Sequence, residues 1–174
     1  MIVVFTGNGK GKTTATLGQM MRAFGQGKKV IMFQFIKGPW ISGEHKFLEN
    51  KKYNGKFEIH RGGKGFVKIL GDKLPFKEHK KAGEETLKKV ELAIKSKKWD
   101  IVALDEVNVA VSLKLVKAGD VLRVIKNEPQ NMIIILSGRN APASFIKRAD
   151  LATEMKEIKH PFNNGKKAEV GFEF

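Results

Sequence analysis

The residues best suited to chemistry form a glycine-rich segment near the N-terminus. The apolar run Ile2–Phe5 predicts a buried strand, the glycines end it, and the spacing of apolar residues after Thr13 predicts a helix. A strand, a glycine-rich turn and a helix start can bind phosphate, because backbone N–H groups converge on the anion and the helix adds partial positive charge. We expect nucleotide contacts from these residues: Gly7, Asn8, Gly9, Lys10, Gly11, Lys12, Thr13 and Thr14.

Two residues of this segment have distinct expected roles. Lys12 is expected to reach the terminal phosphates, and the Thr13 hydroxyl to bind the accompanying Mg²⁺. The usual spacing of a phosphate loop would place its first glycine where this chain has Thr6, and the glycine follows one residue later, as Gly7. The sequence therefore predicts nucleotide binding by a loop of slightly unusual geometry.

An acidic pair after a second apolar run is expected to complete this site. Ile101–Leu104 predicts a strand, and Asp105 and Glu106 follow it directly. A carboxylate at such a strand end reaches the Mg²⁺ shell in phosphate-loop proteins, so both residues are candidates for the metal site. In a hydrolase Glu106 would orient the attacking water. Arg139 follows the apolar run Met132–Leu136 and is a candidate clamp for phosphate or carboxylate.

A loop after the predicted strand Lys29–Ile36 is expected at the same edge of the sheet. Residues 37–44 are rich in Gly and Pro, which predicts irregular structure. Ligands bind outside the carboxyl ends of parallel strands, so Trp40 is a candidate for ligand contact, although a packing role explains it equally well. His60 has no partner at metal-ligand spacing and is expected at the surface or in packing.

Predicted strands and helices alternate along the chain without an internal repeat. This order predicts an α/β fold with a mostly parallel, doubly wound, RecA-like sheet and helices on both faces. The length favours a single domain over residues 1–174. The other expected elements are helices over 75–98, 116–127 and 142–148, and strands over 57–60, 153–158 and 168–172.

The amino-acid composition indicates which kinds of binding partner are expected for this chain. The formal net charge is +15, but only five of the 33 basic residues are Arg, and the lysines are scattered. Base readout favours Arg, so a solvated basic surface without a nucleic-acid partner is expected. No apolar segment approaches the ~18 residues of a membrane helix. The first strand begins at residue 2, which leaves no room for a signal peptide and favours a cytoplasmic location.

Several motifs together resemble one family, the corrinoid adenosyltransferases of the ATP:cob(I)alamin type, which have a phosphate-loop fold. The resemblance rests on residues 6–14, on 34–38 with Trp40, Gly43 and Glu44, on 104–106, on 137–139, and on 159–162 with Gly165, Ala168 and Gly171. These motifs occur in the family's order over essentially the whole chain.

The resemblance implies a reaction and its participants. ATP donates its 5′-deoxyadenosyl group to the cobalt of reduced cob(I)alamin or a precursor corrinoid, and triphosphate leaves. ATP is expected to lie reversed along the loop, which fits the displaced Gly7. The implied cofactor is Mg²⁺, with Mn²⁺ as an alternative, and the implied partners are a second copy of the chain and an external electron donor such as a flavodoxin or a reductase. The chain has no cysteine to supply electrons itself.

This chemistry also explains which catalytic groups are expected. Cob(I) is a strong nucleophile that carries no proton, so no general base is needed, and Lys12 is expected to neutralise the leaving group. Relatives place an aromatic pair around a Gly-Phe segment, thought to displace the lower axial ligand of cob(II)alamin. Phe66 matches the first aromatic and is a catalytic candidate, whereas the second position is Lys68.

The chain departs from the family at its N-terminus as well. Relatives often have an extension there that helps to cover the active site, whereas Met1 directly precedes the first strand here. Another segment is therefore expected to cover the corrinoid, or the site is more open.

Two other functions fit parts of the pattern. A phosphate-loop ATPase or phosphotransferase would use Asp105 and Glu106 on the γ-phosphate and would release or transfer phosphate, not triphosphate. A nucleic-acid-dependent ATPase would fit the net charge and would bind with a steep salt dependence.

Overall fold

The computed structural model describes residues 1–49, 53–69, 71–126 and 128–172. Its strands are β1 (Ile2–Thr6), β2 (Val30–Gln34), β3 (Phe57–Arg61), β4 (Ile101–Asp105), β5 (Ile133–Ser137) and β6 (Leu151–Glu154). Its helices are α1 (Lys12–Gly25), α2 (Gly43–Phe47), α3 (Phe76–Lys95), α4 (Val107–Ser112), α5 (Ala118–Ile125) and α6 (Ala143–Arg148). A short 3-10 helix spans Pro161–Asn164. None of the helices in these ranges is long and apolar enough to cross a membrane.

The strands form one parallel sheet in the order β3-β2-β4-β5-β1-β6. Its register aligns the carboxyl ends of the central strands, because Phe5 pairs with Ser137 and Gln34 pairs with Asp105. The loops that follow β1, β5, β4 and β2 therefore open at one edge of the sheet, where ligands bind in this class of fold.

Helices cover both faces of the sheet, which confirms the predicted doubly wound architecture. Along β1, Ile2 and Val4 belong to the core on the face covered by α3 to α6, whereas Val3 packs in the opposite core together with Met20 of α1. Both cores are continuous along the strands, as expected for a parallel sheet buried on two sides. Helix α3 buries an apolar stripe of Gly83, Leu87, Val90 and Ile94 against the sheet.

The C-terminal part of the chain differs from its predicted structure. The strand expected over 153–158 is β6, which begins two residues earlier because the Asp150 backbone N–H donates to the Ile2 carbonyl at 2.8 Å. The strand expected over 168–172 was wrong. Gly171 has a φ of 80° and the Phe172 N–H donates to the Glu169 carbonyl at 3.2 Å, so the chain turns there.

Three helices also differ from expectation. Residues 37–44 were expected to be irregular, but α2 begins at Gly43 because the Ser42 N–H donates to His45 Nδ1 at 3.1 Å in a capping box. Helix α4 follows β4 after a single residue and was not predicted. The helix expected over 116–127 is the shorter α5, and Asn127 lies outside the described residues.

Candidate active site

The phosphate loop, residues 6–14, connects β1 to α1. Gly7 and Gly11 have φ values of 94° and 115°, a backbone region that glycine enters without steric cost. Helix α1 begins at Lys12, so its unpaired first-turn N–H groups lie at the end of the loop. The chain thus forms the strand, turn and helix start that favour an anion.

Lys12 lies across this loop. Its Nζ donates a hydrogen bond to the Gly9 carbonyl at 2.6 Å, and the residue is only 7% exposed. Burial lowers the pKa of Lys12, and the Glu106 carboxylate opposes that effect. The ammonium group is therefore held where an anion cradled by the loop would stabilise its charge.

Asp105 joins three elements at the carboxyl edge of the sheet. The Thr13 hydroxyl donates to Asp105 Oδ1 at 3.0 Å, and the Ser137 hydroxyl donates to the same oxygen at 2.6 Å. Burial raises the pKa of Asp105, while the hydrogen bonds from Ser137 and Thr13 oppose that rise. Ser137, which was not singled out from the sequence as a site residue, thus fixes the orientation of the carboxylate.

The Thr13 and Asp105 oxygens fit a magnesium site. Mg²⁺ prefers oxygen ligands and keeps several waters, so it needs only one or two protein groups beside phosphate oxygens. A hydroxyl and a carboxylate oxygen 3.0 Å apart at the phosphate loop supply such a pair. Within the described ranges no group of three or more His, Asp or Glu could hold a metal ion, so phosphate and water would have to complete the shell.

Glu106 adopts a left-handed backbone conformation with a φ of 59°, directly before α4. Burial, reinforced by the Asp105 carboxylate, raises the pKa of Glu106 to about 7 against the opposing effects of Lys12 and Arg139. A Cβ added to Gly138 would lie 3.1 Å from Glu106 Oε2, so the turn after β5 packs closely on this carboxylate. Glu106 is thus held near Lys12, and its predicted role at a metal stays a prediction.

The C-terminal segment crosses the phosphate loop, which the sequence did not predict. The Gly9 N–H donates to the Met155 carbonyl at 2.7 Å, and the Met155 N–H donates to the Thr6 carbonyl at 2.8 Å. A Cβ on Gly7 or Gly9 would come within 3.0 Å of Met155 backbone atoms. Because these two residues are glycines, there is room for the crossing chain. The Gly9 N–H is already hydrogen-bonded to the Met155 carbonyl.

The other candidate nucleotide contacts are solvent-exposed. Asn8, Lys10, Thr14 and Arg139 lie at the surface around the loop. Lys10 Nζ lies 4.6 Å from the ring centroid of Phe172, a cation–π contact with the C-terminal segment. The Arg139 charge acts on both Lys12 and Glu106, which places it beside the buried charges.

An aromatic platform, Trp40 and Phe66, lies at the other end of the same edge, after β2 and β3. The two ring centroids are 5.5 Å apart, and the residues are 54% and 43% exposed. A Cβ on Gly65 would lie 2.8 Å from the Trp40 ring, so glycine allows the indole to pack against the second loop. Arg61 Nη1 donates to the Pro39 carbonyl at 2.8 Å and ties the two loops together.

A hydrogen-bond network separates the platform from Asp105. His45 Nε2 is 2.8 Å from Gln34 Oε1, and Gln34 Nε2 donates to Glu44 Oε1 at 3.3 Å. Because His45 Nδ1 accepts the Ser42 N–H, Nε2 is the donor toward Gln34. Lys37 Nζ lies 3.6 Å from Glu44 Oε1. Gln34 belongs to one of the motifs that carry the family resemblance, but its partners become evident only in the fold.

A sequence profile of the family described as ATP:corrinoid adenosyltransferase BtuR/CobO/CobP matches residues 1–174. The chain belongs to this family. Membership confirms the resemblance found in the sequence, and ATP:corrinoid adenosyl transfer is the activity of this enzyme family.

Named relatives agree with the family assignment. The chain is 36% identical to a corrinoid adenosyltransferase of Sinorhizobium sp, over 100% of this chain and 80% of the relative. It is 33% identical to the corrinoid adenosyltransferase of Escherichia coli K12, over 100% of this chain and 85% of the relative. Corrinoid adenosyltransferase CobA of Salmonella typhimurium is 31% identical, with the same coverage.

A solved structure supports the fold alone. The flagellar accessory protein FlaH of Methanocaldococcus jannaschii superposes with a TM-score of 0.57 at 13% sequence identity, over 88% of this chain and 69% of FlaH.

Proposed function

We propose that the phosphate loop binds the triphosphate of ATP and that the aromatic platform receives the corrinoid. The observation that carries this proposal is the placement of both groups at one edge of the sheet, with Asp105 between them in the strand order. The adenosyl group would be transferred in the space between the loop and the platform.

This placement favours one direction for ATP. The corrinoid would lie at β2 and β3, so the reactive C5′ atom has to point from the loop toward these strands. The terminal phosphate then points toward β1 and β6, where Met155 crosses the loop. This is the reversed orientation that the family resemblance implies and that the displaced Gly7 fits.

The leaving group decides which side chains matter for catalysis. The cobalt electron pair attacks C5′, the bond between C5′ and oxygen breaks, and triphosphate leaves with the bonding electrons. Lys12 and the first-turn N–H groups of α1 would stabilise this growing negative charge. A magnesium ion held by Thr13 and Asp105 would supply further neutralisation, and Mn²⁺ could replace it. Glu106, held close to Lys12, would serve the metal or the ribose.

The homodimer and the electron donor are proposed on the family alone. The cytoplasmic location and a single domain over residues 1–174 are proposed from the sequence. An external flavodoxin or reductase would supply the electron, because the chain contains no cysteine for redox chemistry.

The test is an anaerobic assay with Mg-ATP and chemically reduced cob(I)alamin. We expect adenosylcobalamin and triphosphate in equal amounts, with strongly reduced rates in Lys12→Ala. Lys80→Ala is the matched control, because Lys80 is an exposed lysine on α3. Phosphate release with an unchanged corrinoid spectrum would contradict the proposal and favour the ATPase alternative.

A further inference from the structure

A buried acid–base pair lies outside the phosphate-loop machinery. His79 Nε2 on α3 is 3.0 Å from Asp72 Oδ2, and the two side chains are 1% and 7% exposed. No step of the proposed reaction uses either group. Burying a carboxylate and an imidazole is costly, and such a pair is weak evidence for stability alone. The hydrogen bonds of Asp72 show which part of the backbone the pair holds in place.

Asp72 accepts hydrogen bonds from the backbone of the segment that follows the platform. Its Oδ2 accepts the Lys68 N–H at 2.8 Å, and its Oδ1 accepts the Leu74 N–H at 3.0 Å. These backbone hydrogen bonds lower the pKa of Asp72, so the acceptor is a carboxylate. Together with the contact to His79, they tie the backbone at Lys68 and at Leu74 to α3. Lys68 has a φ of 58°, a strained conformation for lysine that needs such support.

Lys68, the first residue held by Asp72, lies two residues after Phe66. Val67 is buried in the core, and Phe66 points out toward Trp40. Lys68 Nζ lies 5.2 Å from the Phe76 ring centroid, which directs this cation along α3. The platform is thus supported from two sides, by the contacts of Gly65 and Trp40 before Phe66 and by Asp72 after it.

We propose that Asp72 and His79 are positioning residues, which hold the Lys68 backbone and thereby set the orientation of Phe66 toward the planar corrinoid. Neither residue touches the substrate. The inference rests on the proposed function, since it assumes that the platform receives the corrinoid. A rigid presentation of the ring lowers the cost of ordering the turn when a ligand binds.

The test compares four variants of the full chain. Asp72→Asn replaces one acceptor oxygen by an NH₂ donor that faces N–H groups. His79→Leu removes the imidazole donor, and His79→Gln retains an N–H that can reach Asp72. Leu87→Ala, in the buried stripe of α3, is the matched control for a general loss of stability.

We expect Asp72→Asn and His79→Leu to raise the KM for the corrinoid about tenfold and to leave the KM for Mg-ATP within about twofold. His79→Gln should recover most of the loss. Leu87→Ala should lower the melting temperature without this split between the two KM values. Trp40 fluorescence, taken as the difference from Trp40→Phe, should shift in the first two variants because the neighbouring Phe66 moves.

The outcomes separate the two proposals. A wild-type enzyme without adenosyl transfer contradicts the proposed function itself. Active variants with an unchanged KM for the corrinoid and an unchanged Trp40 signal overturn only the positioning role. If Asp72→Asn does not fold, His79→Leu and its rescue by His79→Gln decide the question, and the absence of rescue counts against the pair.

Discussion

The phosphate loop and the aromatic platform lie on one edge of the sheet, yet they hold their functional groups in different ways. At the loop, Lys12 and Asp105 are buried and bonded to protein partners. At the platform, Trp40 and Phe66 are about half exposed and are placed by backbone contacts of neighbouring loops.

This difference fits the two ligands proposed for these regions. A triphosphate is a small polyanion, and charges that are preorganised away from water stabilise it most effectively. A corrinoid is a large planar molecule that needs an accessible surface, and aromatic rings provide contact area of defined orientation. We expect substitutions at the loop to act on ATP and those at the platform to act on the corrinoid.

The largest effect is expected from Lys12→Ala. Removing one electrostatic donor from a leaving-group site costs about 3–4 kcal/mol of transition-state stabilisation. We expect kcat/KM for Mg-ATP to fall about 10²–10³-fold, with Lys80→Ala as the control. A loss below tenfold would mean that other groups neutralise the triphosphate.

Asp105→Asn tests the metal role of the loop region. The substitution keeps the shape of the side chain but removes the negative charge next to Thr13. The Mg²⁺ concentration for half-maximal activity should rise about tenfold to a hundredfold, a typical cost of weakening the groups around a metal. An unchanged magnesium titration, measured at fixed free ATP, would exclude Asp105 from the metal site.

Phe66→Ala tests the platform. Loss of the ring should raise the KM for the corrinoid about tenfold and leave the KM for Mg-ATP unchanged. Phe66→Tyr keeps the ring and is the matched control. Equal increases in both KM values would show that the loop and the platform are not separate in function.

Phe172→Leu is expected to have the smallest effect. The variant removes the ring beside Lys10, a contact worth about 0.5–1 kcal/mol at an exposed site. We expect the KM for Mg-ATP to rise about twofold to fivefold, and Phe172→Tyr to behave as wild type. A wild-type KM in Phe172→Leu would mean that the C-terminal segment does not orient Lys10.

The sequence predicted those parts of the molecule that depend on local pattern. The phosphate loop and the strand before Asp105 were evident because apolar runs and glycines follow rules of short range. The predicted sheet and the family were both confirmed, and the roles of the individual site residues stay predictions.

The missed features are contacts that no local pattern signals. The crossing of the loop by Met155 joins residues far apart in the sequence, whereas the network around Gln34 and the pair of Asp72 and His79 join nearby residues across irregular segments. The strand expected over 168–172 failed for the opposite reason. The prediction used local sequence only, but in the described part of the chain this segment pairs with no strand and turns at Gly171.

The most direct test of the division between loop and platform is equilibrium binding of each ligand to each variant. Mg-ATP and cob(II)alamin are titrated separately into wild type, Lys12→Ala and Phe66→Ala. Lys12→Ala should weaken the binding of Mg-ATP only, and Phe66→Ala should weaken the binding of the corrinoid only. If Lys12→Ala weakened cob(II)alamin binding, or Phe66→Ala weakened Mg-ATP binding, the assignment of the two ligands to two regions would be contradicted.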